Sequence, residues 1–242
     1  MSSDANHRLL VTIPVYNEAP CIASVIHEVR SYANRADIVV INDGSSDGSA
    51  SIARDAGAEV IDLPFNLGIG GAVQTGLMFA AERDYDLVAR LDGDGQHNAA
   101  QLAQLIRPVI SGEADVVIGS RFIEGRGYTS SLARAIGMRV FSGVVALVTG
   151  HHFTDTTSGF QVLNRAAACF LASHLPTDYP EIEGLVLLCR AGFRVCEVAV
   201  TMRPRIAGRS SISPWRAIYY ICKVSLAVLI GRVRRLPKKP EV

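Results

Sequence analysis

The sequence predicts an α/β domain: a mainly parallel sheet covered by helices on both faces, followed by a C-terminal amphipathic helix. Three observations predict it. Short β-branched runs that are apolar throughout recur along the first half, as in strands buried on both sides. Segments of helical length separate these runs. Polar residues gather where the runs end, which is where open sheets of this kind bind ligands. At 242 residues the chain is long enough for one large domain with a well buried core and does not require two. The domain is assigned to residues 1–211 and a membrane-interfacial appendage to residues 212–242.

Leu9-Leu10-Val11-Thr12-Ile13 is the first strand, closed by Pro14, with Pro14-Val15-Tyr16-Asn17-Glu18 as its exit loop. A helix over residues 19–32 follows, then a second strand over 37–41. In the turn Asn42-Asp43-Gly44-Ser45-Ser46-Asp47-Gly48, the serines and Asp47 suit the cap of a helix ending at Ala56. Residues 58–63 form the third strand, and Asn66-Leu67-Gly68-Ile69-Gly70-Gly71 opens a helix reaching about residue 81. Residues 86–91 make the fourth strand, 100–110 a helix and 115–118 a strand that ends in Gly119-Ser120-Arg121.

The second half reads less regularly. Residues 130–149 carry Arg134 and Arg139 in an apolar helical pattern suited to core or to lipid. Residues 155–160 are a polar loop, and Pro180-Glu181-Ile182-Glu183 opens a helix to Arg190 whose glutamates also favour its N-terminus. Residues 193–202 read as a strand leading into a basic loop, 203–211. Residues 215–230 are apolar but contain Lys223 and fall short of the roughly twenty residues a spanning helix needs. Trp215, Tyr219 and Tyr220 at one end and a basic run at the other suit a helix lying in a bilayer surface. Packing on the protein or on a partner subunit is the alternative.

The chemistry centres on Asp92-Gly93-Asp94-Gly95-Gln96-His97. Two carboxylates one residue apart at a strand end can turn toward one hard cation, and the glycines admit a ligand close to the backbone. Mg²⁺ or Mn²⁺ with a diphosphate is expected here. A calcium loop fails, because counting from Asp92 puts His97 at the sixth position and Ala103 at the twelfth. A dinucleotide fingerprint begun at Gly68 meets Val73 where Gly is needed, and no Walker lysine follows. That segment reads as a tight helix start near a phosphate or sugar, or as packing alone.

A net charge of +1 gives no general attraction to nucleic acid. The five cysteines are scattered without paired spacing, which fits reduced thiols. Residues 1–8 lack an apolar targeting core, so the active domain is expected at the cytoplasmic face of a membrane, bound peripherally.

The ordered series Ile13-Pro14-Val15-Tyr16-Asn17-Glu18, Ile41-Asn42-Asp43-Gly44-Ser45-Ser46-Asp47, Asn66-Leu67-Gly68, Asp92-Gly93-Asp94-Gly95-Gln96-His97, Gly119-Ser120-Arg121 and Ser158-Gly159-Phe160 resembles the family 2 glycosyltransferases with the GT-A fold. Within them the chain looks most like the polyprenyl-phosphate sugar synthases, the group that includes dolichyl-phosphate mannose synthase. The resemblance implies that Pro14, Tyr16, Glu18, Asp43 and Asp92 bind a UDP- or GDP-linked sugar. It implies a metal and donor diphosphate at Asp92, Asp94 and Gln96. It also implies an acceptor phosphate, on a dolichyl- or undecaprenyl-type lipid, at Arg121, Arg134, Arg205 and Ser210, with Arg121 and Arg205 counted as catalytic beside Asp92 and Asp94. Two features depart from the pattern: Ser211 stands where a lysine usually follows Gly-x-Ser, and a single apolar segment replaces the pair of transmembrane helices of many relatives.

The implied reaction is an inverting displacement. A lipid phosphate is already anionic, so its attack needs orientation more than a base. Transfer to a saccharide hydroxyl is the alternative, and it would require a carboxylate base such as Asp155, Glu181 or Glu183. A nucleotidyltransferase lacks support, since no basic glycine-rich loop follows the first strand. A non-catalytic nucleotide-binding subunit, recruiting a membrane partner or a second copy, is the remaining class.

Overall fold

The computed structural model describes residues 7–123, 132–176 and 178–204, together with Lys223, Leu226 and Lys239. Seven strands form one sheet in the order β3-β2-β1-β4-β6-β5-β7. They are β1 Leu9–Val15, β2 Asp37–Asn42, β3 Glu59–Asp62, β4 Leu87–Arg90, β5 Val116–Ser120, β6 Gln161–Asn164 and β7 Val195–Ala199. β1 pairs in parallel with β2 and β4, β2 with β3, and β5 with β7. β6 alone runs antiparallel, lying between β4 and β5.

Because successive side chains of a strand point to opposite faces, β1 sends Leu10 into one apolar layer and Val11, Ile13 and Val15 into the other. The first layer is closed by α3 (Gly68–Glu82), α5 (Leu132–Thr149), α6 (Arg165–His174) and α7 (Pro180–Ala191). The second is closed by α1 (Ile22–Tyr32), α2 (Ser49–Asp55) and α4 (Leu102–Ile110). Gly76 lets α3 lie close on β1, since a Cβ there would meet the Thr12 side chain at 3.2 Å. The expected mainly parallel sheet with helices on both faces is therefore what forms.

The elements expected in the first half are all present, with ends shifted by a few residues. α1 starts at Ile22, not residue 19, because Glu18 O accepts the N–H groups of both Cys21 and Ile22 and makes residues 18–21 a turn. β6 and α6 were not anticipated. β6 has only four residues, too few to show a period, whereas Asn164, whose side chain accepts the Ala167 N–H, is a helix cap visible in the sequence. α5 turns Phe141 and Val145 into the core and leaves Leu147 exposed, so it is an amphipathic core helix over its described side chains.

No helix among the described residues is long and apolar enough to cross a membrane. The expected interfacial helix lies outside the described residues apart from Lys223 and Leu226, which are helical. Lys223 Nζ pairs with Asp178 Oδ2 at 2.9 Å, and Lys239 Nζ with Asp115 Oδ2 at 2.8 Å.

Candidate active site

The parallel strands present their carboxyl ends along one rim, and three exit loops build a cavity of about 270 Å³ there. Pro14, Tyr16 and Glu18 come from β1, Asp43 from β2, and Asp92 and Asp94 from β4. Six residues placed at a donor site by their motifs thus line one cavity. Ile69 and Ala72 of α3, Arg90 of β4 and Glu181 at the start of α7 complete its wall.

The motif residues around the first two loops brace one another. Ser45 Oγ accepts the Asn17 N–H at 3.0 Å, Ser49 Oγ the Glu18 N–H at 2.9 Å and Asp47 Oδ2 the Ala19 N–H at 3.0 Å. Asn17, at φ 55°, returns a bond by accepting the Ser46 N–H at 2.9 Å. Asp47 Oδ1 also accepts the Ser49 N–H at 3.0 Å at the start of α2, although Gly48 and not Asp47 stands at the N-cap. Burial works against its charge, but the Ser49 hydroxyl and the Ala19 N–H hold its carboxyl below the usual range.

Asp43 is buried, and its two oxygens accept the N–H groups of Leu67 at 2.6 Å and Gly68 at 3.0 Å. It therefore caps the start of α3 as well as lining the cavity. Gly44, at φ +72°, passes so close beneath this segment that a Cβ would meet Asn66 N at 2.9 Å.

Asp92 is held from below. Its N–H donates to His97 Nδ1 at 3.0 Å, which places the proton of a neutral imidazole on Nε2, 3.6 Å from Asp92 Oδ2. His97 is buried and stacked on Phe160, ring centroids 5.0 Å apart. Burial pushes its pKa below the ordinary imidazole range against the pull of Asp92 and Asp94, so the ring is neutral at pH 7. Arg90 Nη2 lies 2.7 Å from Glu181 Oε1 and 3.4 Å from Asp92 Oδ1. Burial opposes charge on Asp92, but His97 and Arg90 together hold its carboxyl below the usual range. Burial likewise opposes charge on Arg90, and Glu181 and Asp92 outweigh it.

Gly159 passes over this carboxylate. A Cβ there would sit 2.9 and 3.0 Å from the Asp92 oxygens and 3.1 Å from Arg90 Nη2. The absent side chain keeps both oxygens of Asp92 uncrowded, and Asp94 stands beside it with Oδ1 accepting the Gln96 N–H at 3.0 Å. Among the described residues no group of three or more His, Cys, Asp or Glu is arranged to hold a metal. Two carboxylates without a cage fit Mg²⁺ or Mn²⁺ completed by substrate phosphate oxygens. Gln96 donates Nε2 to Arg203 O at 3.3 Å.

Arg121 does not line the donor cavity. It borders a second one of about 210 Å³, with Gln101, Gln104, Ser120 and Thr201. Its Nε and Nη2 each lie 2.6 Å from an oxygen of Asp155, and Nη2 reaches Thr157 Oγ1 at 2.8 Å. Glu197 of β7 fixes the Asp155 loop by accepting the N–H groups of Thr154 and Asp155. Arg134 falls on α5 with its side chain outside the described residues, and Arg205 and Ser210 lie outside them entirely.

Arg90, His97, Glu181 and Gly159 carry structural roles that their motifs alone did not reveal. Arg90 was detectable as a charge inside an apolar strand, a placement that requires a partner. Glu181 was visible as a helix N-terminal acid and as a candidate base, and nothing in linear order joins it to residue 90.

Comparison with known proteins agrees with this arrangement. The model of glycosyl transferase family 2 matches residues 10–169. The chain is 33% identical over 200 residues to glycosyltransferase AglJ of Haloferax volcanii, covering 82% of this chain and 64% of that protein. It is 30% identical over 220 residues to the undecaprenyl-phosphate mannosyltransferase of Micrococcus luteus, covering 85% and 88%. The crystal structure of glucosyl-3-phosphoglycerate synthase from Mycobacterium tuberculosis, in complex with Mn²⁺, UDP and glucosyl-3-phosphoglycerate, superposes with a TM-score of 0.73 at 21% identity, over 96% of this chain and 81% of that one. With its GT-A sheet, its ordered motifs and a family match spanning most of the domain, the chain belongs to glycosyl transferase family 2 and is a glycosyltransferase.

Proposed function

We propose that this enzyme transfers a sugar, with inversion, from a nucleotide-sugar to the phosphate of a polyprenyl lipid at the cytoplasmic surface of a membrane. The observation that carries this reading is the state of the carboxylates. Asp155 is fully buried and forked by Arg121, and Glu181 is held by Arg90. Glu183 does not line the donor cavity, and its Oε2 is buried without a partner among the described residues. A hydroxyl acceptor needs a base within reach of its proton. A phosphate acceptor does not, because it arrives as an anion. The likeness to an undecaprenyl-phosphate mannosyltransferase supports the same acceptor.

The donor diphosphate belongs in the cavity between Tyr16, Asp43 and the Asp92–Asp94 pair. Asp92 and Asp94 would hold Mg²⁺ or Mn²⁺, which would supply positive charge to the leaving diphosphate. Arg90 fixes Asp92, and His97 fixes the backbone from which it hangs. An acceptor phosphate oxygen forms the new bond to the anomeric carbon as the bond from that carbon to the diphosphate breaks. Arg121 enters with its guanidinium plane already set by Asp155; Arg205 and Ser210, from Arg-x-x-Gly-x-Ser, and Arg134, which has no matching motif, are the further phosphate contacts of this reading.

The test is transfer of radiolabelled sugar from a panel of UDP- and GDP-sugars to short-chain polyprenyl phosphate, with Mn²⁺ or Mg²⁺ and with EDTA. Metal-dependent label in an organic-soluble, mild-acid-labile product is expected. Donor binding without lipid labelling moves the reading to a hydroxyl acceptor. Binding of no donor restores the non-catalytic subunit.

A further inference from the structure

Arg203 follows β7 and stands two residues before Arg205. Its guanidinium forks onto Glu28 of α1, Nη1 to Oε2 at 2.6 Å and Nη2 to Oε1 at 2.9 Å. Nη2 also reaches Asn98 Oδ1 at 3.1 Å, and Glu28 Oε1 accepts the Ala99 N–H at 3.1 Å. The backbone is tied as well: the Arg203 N–H donates to Gln96 O at 2.9 Å, and Gln96 Nε2 donates back to Arg203 O at 3.3 Å. Gln96 and Asn98 continue the loop that carries Asp92 and Asp94. The chain leaving β7 is therefore fastened directly to the metal-side loop, and a second time through α1.

As a simple ion pair this contact would contribute little, because the Arg203 and Glu28 side chains are 45% and 20% exposed. Its geometry gives it a different use. A fork with a third acceptor fixes the plane of a guanidinium, and the reciprocal bonds to Gln96 fix the peptide from which it hangs. Neither residue lines the donor cavity.

We propose that Arg203 is a positioning residue: the Glu28–Arg203 fork and the Gln96 bonds hold the root of the acceptor loop in register with the Asp92–Asp94 loop. Acceptor phosphate and donor diphosphate then meet at a set distance, and an ångström of slack there is enough to lose about a hundredfold in rate. This inference rests on the lipid-phosphate reading.

The experiment compares wild type, R203M, R203K, E28Q and the E28Q/R203M double variant as full chains. It reads KM and kcat for short-chain polyprenyl phosphate, affinity for the nucleotide that wild type binds, and Tm. R203M should lower the acceptor kcat/KM about tenfold while nucleotide affinity stays within about twofold, and the double variant should be no worse than R203M, because both changes break one pair. R203K should recover only part of the loss, since an ammonium cannot fork. An unchanged acceptor kcat/KM in R203M, whatever happens to Tm, overturns the proposal, as does an equal loss of nucleotide affinity or simple additivity in the double variant. Wild-type failure to label any polyprenyl phosphate overturns the acceptor reading and this inference together. Wild-type labelling with indifferent variants overturns this inference alone.

Discussion

Arg121 and Asp155 face each other as a closed fork, Nε and Nη2 each 2.6 Å from one carboxylate oxygen, with the Asp155 side chain fully buried. Removing the Asp155 charge takes from the Arg121 guanidinium the buried carboxylate that forks it. D155N should therefore lower the unfolding free energy by about 3–5 kcal/mol, read from urea titration. It should impair acceptor use more than nucleotide binding. A variant as stable as wild type would show that the fork is dispensable.

Asp94 tests the carboxylate pair itself, because it lines the cavity beside Asp92. D94A should keep the wild-type circular dichroism and melting profile while metal-stimulated turnover falls by at least about a hundredfold, on the scale of several kcal/mol of charge stabilisation. EDTA should bring wild type to the same level. Full metal-stimulated turnover in D94A would remove Asp94 from the metal site.

Gly159 offers a test that changes no charge. A single methyl group in G159A must displace the Asp92 carboxylate or the Arg90 guanidinium, which its Cβ would approach within 2.9 and 3.1 Å. Turnover should fall by about ten- to a hundredfold, with a higher metal concentration needed for half-maximal rate. Wild-type metal dependence in G159A would mean that Asp92 tolerates the shift and that its position is not critical.

Asp115 tests the opposite edge of the sheet. Burial opposes its charge, but Arg194 and Lys239 hold its carboxyl well below the usual range. A depressed folded pKa means that the unfolded state binds the proton first. Its stabilisation is full above the unfolded value of about 4 and is lost as pH falls through that value toward the folded one. D115N should be less stable at pH 7, and the gap to wild type should narrow below pH 4. Parallel stability curves across that window would contradict the linkage.

The cavity at the ends of β1, β2 and β4 was legible because its residues stand at the ends of apolar runs, and a run's end is a local fact. Tyr16, Asp43, Asp92 and Asp94 needed no knowledge of tertiary contacts to be placed on one rim. Arg90 with Glu181, or Glu28 with Arg203, join residues 91 and 175 positions apart. No periodicity records such a pairing. The serines after Asp43 show an intermediate case: their capping character was visible, but not that the N–H groups they accept belong to the loop leaving the neighbouring strand. Gln96 shows the limit of a motif, since its side chain serves Arg203 O, a partner that only the folded chain brings near.

The antiparallel strand β6 also bears on how the chain emerges from the ribosome. The first four strands are complete once Arg90 has been made, but β4 stays unpaired on its outer edge until residues 161–164 arrive, and β5, with β7 beyond it, joins the sheet only through β6. Until then a nascent chain carries Asp92 and Asp94 beside a bare strand edge, which is a template for pairing with other chains. Products of premature termination before residue 161 are therefore aggregation hazards and not half-active enzymes.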